Sequence, residues 1–128
     1  MQNGCYPAGM STPLLCLAMC PDAESATKIA RALVEEKLAA CVNRVPGIAS
    51  TYRWQRQIHE DVEVLLLIKT ARERFGALRS RLLELHPYDL PELIAVEIAD
   101  GIPAYLDWLV AETAPDAAAG DPAAHLRQ

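Results

Sequence analysis

A chain of 128 residues is long enough for one domain whose core needs no disulfide or metal staple. Hydrophobic residues make up 52%, mostly Ala, Leu and Val, while aromatic residues make up only 5%, which argues against a base-stacking platform. The net charge of -5 also speaks against a nucleic-acid partner, since Arg53, Arg56, Arg72 and Arg74 are offset by Glu60, Asp61, Glu63 and Glu73.

Residues 1–12 mix Gly, Pro, Ser and Asn without periodicity and read as a flexible tail. They lack the pattern of a secretory signal, so a cytoplasmic location is expected. Leu14 to Cys20 is apolar, short and closed by Pro21-Asp22, which predicts a first strand. From Asp22, a plausible N-cap, the spacing turns helical. Ala26, Ile29, Ala30, Leu33 and Leu38 fall on one side, with Lys28, Arg31, Glu35 and Glu36 on the other. Ala40 to Val45 resumes a strand, Pro46-Gly47 bends it, and Ile48 to Ile58 alternates, with Ile48, Ser50, Tyr52, Trp54 and Ile58 on one face. A connection around Gln57 to Asp61 then leads into a strand over Val62 to Thr70, completing a hairpin. Its run from Val64 to Ile68 is the longest apolar stretch and far too short to cross a bilayer, so no membrane association is expected.

A second helix is predicted from Ala71 to Leu85, stopped by His86-Pro87, then a fourth strand from Glu92 to Ala99. Pro103 opens a short last helix through Glu112 that offers Tyr105, Trp108 and Leu109 to a core. Residues 114–128, rich in Ala, Pro, Asp and Gly, read as a second flexible tail, which leaves 13–113 as the folded domain. The order βαββαβ plus one helix folds most simply as an antiparallel sheet covered on one face by two crossover helices. The aromatic hairpin is more than a single small subunit can bury, and this points to self-association.

The segments Ala39-Ala40-Cys41-Val42-Asn43, Pro46-Gly47, Tyr52-Arg53-Trp54, Glu63 to Thr70, His86-Pro87-Tyr88, Pro91-Glu92 and Ala104 to Leu109 occur in the order found in CutA proteins. The chain resembles that divalent-cation-tolerance family from about Leu14 to Glu112. The resemblance implies a ferredoxin-like α+β subunit, a homotrimer with hairpins pairing between neighbours, a likeness to PII signalling proteins, and a role in tolerance of divalent cations, copper especially. The cation is not expected to be required for folding.

The resemblance also directs attention to a late cysteine in the first strand and to imidazoles before Pro-Tyr, a soft donor set suited to copper. Here these are Cys20, with Cys16 on the same face roughly 13 Å away, and His86, preceded by Leu85 where some relatives have a second histidine. Cys20 is expected to be the more accessible thiol. His86 reads equally as a helix-end imidazole bonded to the last carbonyls, and Cys41 as a small buried hydrophobe. Tyr52, Trp54, Tyr88 and Trp108 read as packing or as the lining of an intersubunit cleft, where Cys41, Lys69 and Glu92 are also expected. No phosphate-cradling loop, nucleophile elbow or closed metal-ligand spacing is present in the sequence, and an enzyme is not expected. Two functions compete: a trimer that binds copper or other divalent cations, and a PII-like sensor that takes a small molecule between subunits.

Overall fold

A computed structural model describes residues 11–116. The elements run β1 (Pro13–Cys20), α1 (Ala23–Glu35), β2 (Cys41–Trp54), β3 (Gln57–Ala71), a 3-10 turn (Arg72–Arg74), α2 (Phe75–Leu85), β4 (Leu93–Glu97) and α3 (Pro103–Glu112). The four strands form one antiparallel sheet in the order β2-β3-β1-β4. With α1 and α2 as the crossovers, this is the ferredoxin-like α+β arrangement. The tails expected at 1–12 and 114–128 fall mainly outside the described residues. At their inner ends the Thr12 carbonyl accepts a bond from the Arg72 N–H at 2.9 Å, and Asp116 pairs with Lys37 at 2.6 Å.

Period-two alternation divides the sheet into two unlike faces. Leu14, Cys16, Ala18 and Cys20 of β1 and Val64, Leu66 and Ile68 of β3 turn to one side, where Ala26, Ile29 and Leu33 of α1 and Leu78 and Leu82 of α2 close a buried core. Asp22 caps α1 by accepting the Ser25 N–H at 2.8 Å, as its position in the sequence suggested. Leu38 joins the core from beyond the helix, because the chain reverses at Lys37 (φ 60°) and the Leu38 N–H bonds the Leu33 carbonyl at 2.8 Å. The buried Thr70 hydroxyl donates to the Leu38 carbonyl at 2.7 Å and pins this reversal to β3.

The second face carries Leu15, Leu17 and Met19 of β1 opposite Lys69, Leu67 and Leu65 of β3, with Val96 and Ile94 of β4 alongside. Its principal helical neighbour is α3, which packs on β3 and β1 through the buried residues Leu106 and Leu109. Tyr105 and Trp108 were expected in a core, but they lie on the outer side of α3, where a ten-residue helix presents only one narrow buried stripe. Ile94 stays 51% exposed and Val96 48%, so the second face is only partly covered within the subunit.

The β2–β3 hairpin departs from the expected connection. Its turn is Gln55-Arg56, both at positive φ (51° and 67°), and Trp54 pairs with Gln57. Ile58 therefore belongs to β3, opposite Arg53, and shares a face with Arg53 rather than with Tyr52 and Trp54. The sequence obscures this turn because neither residue is the Gly or Asn that positive φ favours. Pro46-Gly47 acts as expected: the register shifts between Val45 and Ile48, and Gly47 adopts φ 74°. Replacing Gln55-Arg56 by Asn-Gly relieves two left-handed residues and is expected to raise stability by about 0.5–1 kcal/mol in urea unfolding. A loss of stability would show that the Gln55 and Arg56 side chains contribute contacts that outweigh the backbone strain.

Candidate functional site

The bulge at Pro46-Gly47 restores the face alternation so that Ile48, Ser50, Tyr52 and Trp54 continue the second face, opposite Glu63, Asp61, His59 and Gln57. Where the hairpin leaves the sheet, the segment after α2 crosses beneath it. Together they enclose a cleft of about 600 Å³ bounded by Met19 of β1, Ser50 to Trp54 of β2, Glu63 of β3, and Tyr88, Asp89, Leu90 and Glu92.

The position of the lower wall follows from His86. Proline at 87 ends α2, and the His86 ring turns back to the end of β1, where Nε2 donates to the Met19 carbonyl at 2.6 Å. The Tyr88 N–H then donates to His86 Nδ1 at 3.1 Å, which fixes the neutral tautomer with its proton on Nε2. The two rings lie 4.8 Å apart, and the Tyr88 hydroxyl reaches across to Glu63 Oε2 at 2.8 Å. Glu63 is only 7% exposed, and burial followed by its bond to Glu63 pushes the Tyr88 hydroxyl well above the usual phenol range. A second phenol–carboxylate pair, Tyr52 with Asp61, stands beside the first, and Tyr52 stacks on His59 at 5.5 Å.

Of the seven residues expected at an intersubunit cleft, Tyr52, Trp54, Tyr88 and Glu92 line this cleft within one subunit. Cys41 and Lys69 pair opposite each other where β2 begins, and the Lys69 ammonium bonds the Asn43 side-chain oxygen, away from the cleft lining. Trp108 sits on α3 against Tyr105, their rings 5.5 Å apart. Met19, Glu63, Asp89 and Leu90 are among the other lining residues, none of them proposed as a site residue from the sequence. For Glu63 a signal was available: as an acidic residue in phase with Leu65 and Leu67, it belongs to the same second face.

His86 and Cys20 come to the same end of β1, since His86 bonds the carbonyl of the residue before Cys20. As folded they do not fit a resident metal. Both imidazole nitrogens are occupied, one as donor and one as acceptor, and Cys20 is fully buried. The expected accessibility of Cys20 over Cys16 is not met, because both point to the helical layer at 0% exposure. Burial pushes both thiols up to about 11, and for Cys20 the Asp22 carboxylate adds to it. Among the described residues no three His, Cys, Asp or Glu side chains converge to hold a metal ion.

Because both thiols have folded pKa values above the ordinary 9.0, the stability they contribute is complete below pH 9 and is lost as pH rises toward about 11. Urea midpoints measured from pH 8 to 11 are expected to fall more steeply for the wild type than for a Cys16→Ala/Cys20→Ala variant. Parallel slopes would show that these thiols ionise without cost to the fold.

Residues 14–112 match the family model of the CutA1 divalent ion tolerance protein. The divalent-cation tolerance protein CutA of Thermus thermophilus is 56% identical over 89 residues, covering 70% of this chain and 86% of that protein. The human protein CutA is 41% identical over 107 residues, covering 84% of this chain but 58% of its own length, so the match spans little more than half of that relative. Among solved structures, the Thermus thermophilus divalent cation tolerance protein superposes with a TM-score of 0.78 at 51% identity, over 80% of this chain and 99% of that one. CutA from Xylella fastidiosa gives 0.79 at 49% identity, over 81% and 100%. With the family model matched over residues 14–112 and the fold shared with these solved structures, the chain belongs to the CutA1 divalent ion tolerance family.

Proposed function

We propose that the protein works as a homotrimer that binds copper or another divalent cation, without catalysing a reaction, and that the cation's donors come from more than one subunit. What most supports this is a mismatch within the single chain. The family is named for tolerance of divalent ions, yet among the described residues of one chain no donor set converges, while the second face of the sheet is left partly open to solvent at Ile94 and Val96. Trp54 at 39% exposure on the hairpin, with Ile94 and Val96 on the sheet, lies on one face that a second copy would cover.

The cation acts here as cargo or signal rather than as a folding element, a reading supported by a continuous apolar core that includes Leu14, Ile29, Leu33, Leu66 and Ile68. Cytoplasmic residence belongs to the same proposal: Cys16, Cys20 and Cys41 are free thiols, the state a reducing compartment maintains.

The test titrates copper and zinc, by competition with a chromophoric chelator, into the wild type, Trp54→Glu, His86→Ala and Cys20→Ser, with the mass of each variant recorded. A buried interface aromatic commonly contributes about 2 kcal/mol or more, so Trp54→Glu is expected to break the assembly. Cation affinity should fall about tenfold or more with it. His86→Ala and Cys20→Ser are expected to bind as the wild type does, since neither side chain offers a free donor. Unchanged affinity in a monomeric Trp54→Glu variant would contradict a shared site. Loss of binding in both His86→Ala and Cys20→Ser, with the trimer intact, would place the cation at that pair instead.

A further inference from the structure

The cleft at the root of the hairpin is built for something larger than an ion. Its volume of about 600 Å³ lies in the range of pockets that enclose metabolite-sized molecules. Its lining also has a definite sign: Glu63, Asp89 and Glu92 border it, against one basic residue, Arg53, whose position opposite Ile58 sets it on the other face of the hairpin from Tyr52 and Trp54. Between them stand the rings of Tyr52, Trp54 and Tyr88, whose faces attract positive charge.

Glu63 is the most constrained of these groups. It is nearly buried, yet its fixed partner within the subunit is a neutral phenol, which donates to one carboxylate oxygen only. A buried carboxylate is best satisfied by a cation or by further N–H donors. Tyr88 holds the carboxylate in place, and the His86 bonds to Met19 and Tyr88 in turn hold Tyr88. The charged group is therefore presented in a fixed orientation at the cleft wall, as a recognition site requires.

From this geometry we propose that the cleft binds a small organic ammonium compound, its N–H groups donating to Glu63 and its apolar body lying among Tyr52, Trp54 and Tyr88. This goes beyond the cation-tolerance reading and does not depend on it, because the ligand is recognised by charge together with an apolar body rather than by coordination. A primary ammonium matches better than a quaternary one, since only the primary group can donate to the carboxylate. The Tyr88 phenol is a donor at neutral pH, as its bond to Glu63 shows.

The experiment uses three probes of one shape on the assembled wild-type protein: phenethylamine, 2-phenylethanol and 3-phenylpropanoate, titrated calorimetrically at low and moderate salt. Saturable binding of phenethylamine is expected, about tenfold or more tighter than the alcohol and weakened by salt, with the carboxylate weakest. Glu63→Gln is expected to remove that preference for the amine while leaving the alcohol's affinity unchanged. Glu92→Gln, at the exposed rim, should cost only a few-fold. If Glu63→Gln fails to fold, the probe series on the wild type still decides the matter. Equal affinity for amine and alcohol, tightest binding of 3-phenylpropanoate, or no saturable binding of the amine would each overturn the proposal.

Discussion

A four-stranded sheet has two faces, and this chain supplies a full helical layer for only one of them. Most other features of the molecule follow from that imbalance. The layered side buries Leu14, Cys16, Leu66 and Ile68 under α1 and α2 and secures the fold. The other side receives the short helix α3 and keeps Ile94, Val96, Tyr52 and Trp54 partly in water. Leaving branched and aromatic side chains exposed forgoes roughly 25 cal/mol for each Å² of apolar surface, a loss that association can recover.

The cleft arises at the boundary of that unfinished face. The register shift at Pro46-Gly47 carries the alternation of β2 into a hairpin that extends past the end of β1, and His86 anchors the segment after α2 to that end. One imidazole thus links the end of α2, the last turn of β1 and the Tyr88–Glu63 pair. The same bonds that make His86 a good strut take away the lone pair a metal would need. Cys20 presents the parallel case: a thiol at the end of a strand is accessible only if its side chain points outward, and the alternation of β1 points it into the core. Donor chemistry in the sequence therefore pointed to two residues that meet at one end of β1, where the fold leaves neither of them a free ligand.

Much of the fold was legible because local signals agreed with the tertiary arrangement. The apolar run of β1, the Asp22 cap, the Pro46-Gly47 bulge and the Pro103 start of α3 each rest on short-range physics that packing did not override. The hairpin turn was hidden because Gln55-Arg56 carries no residue type that announces positive φ; the strand pairing on either side imposes it. Tyr105 and Trp108 misled for a different reason, since an apolar residue on a short helix indicates a need for burial but not the chain that meets it. The cleft was half legible: Tyr52 and Trp54 follow from alternation along β2, whereas Asp89 and Leu90 enter through the course of a loop, which no periodicity encodes.

The central claim is that the second face of the sheet is completed by other copies of the chain. Light scattering coupled to size exclusion at micromolar concentration measures this directly. The account requires a mass about three times 14.0 kDa, maintained on dilution through the low micromolar range. A stable species of 14.0 kDa with a cooperative unfolding transition would contradict it, because the subunit would then tolerate its exposed hairpin and sheet face alone.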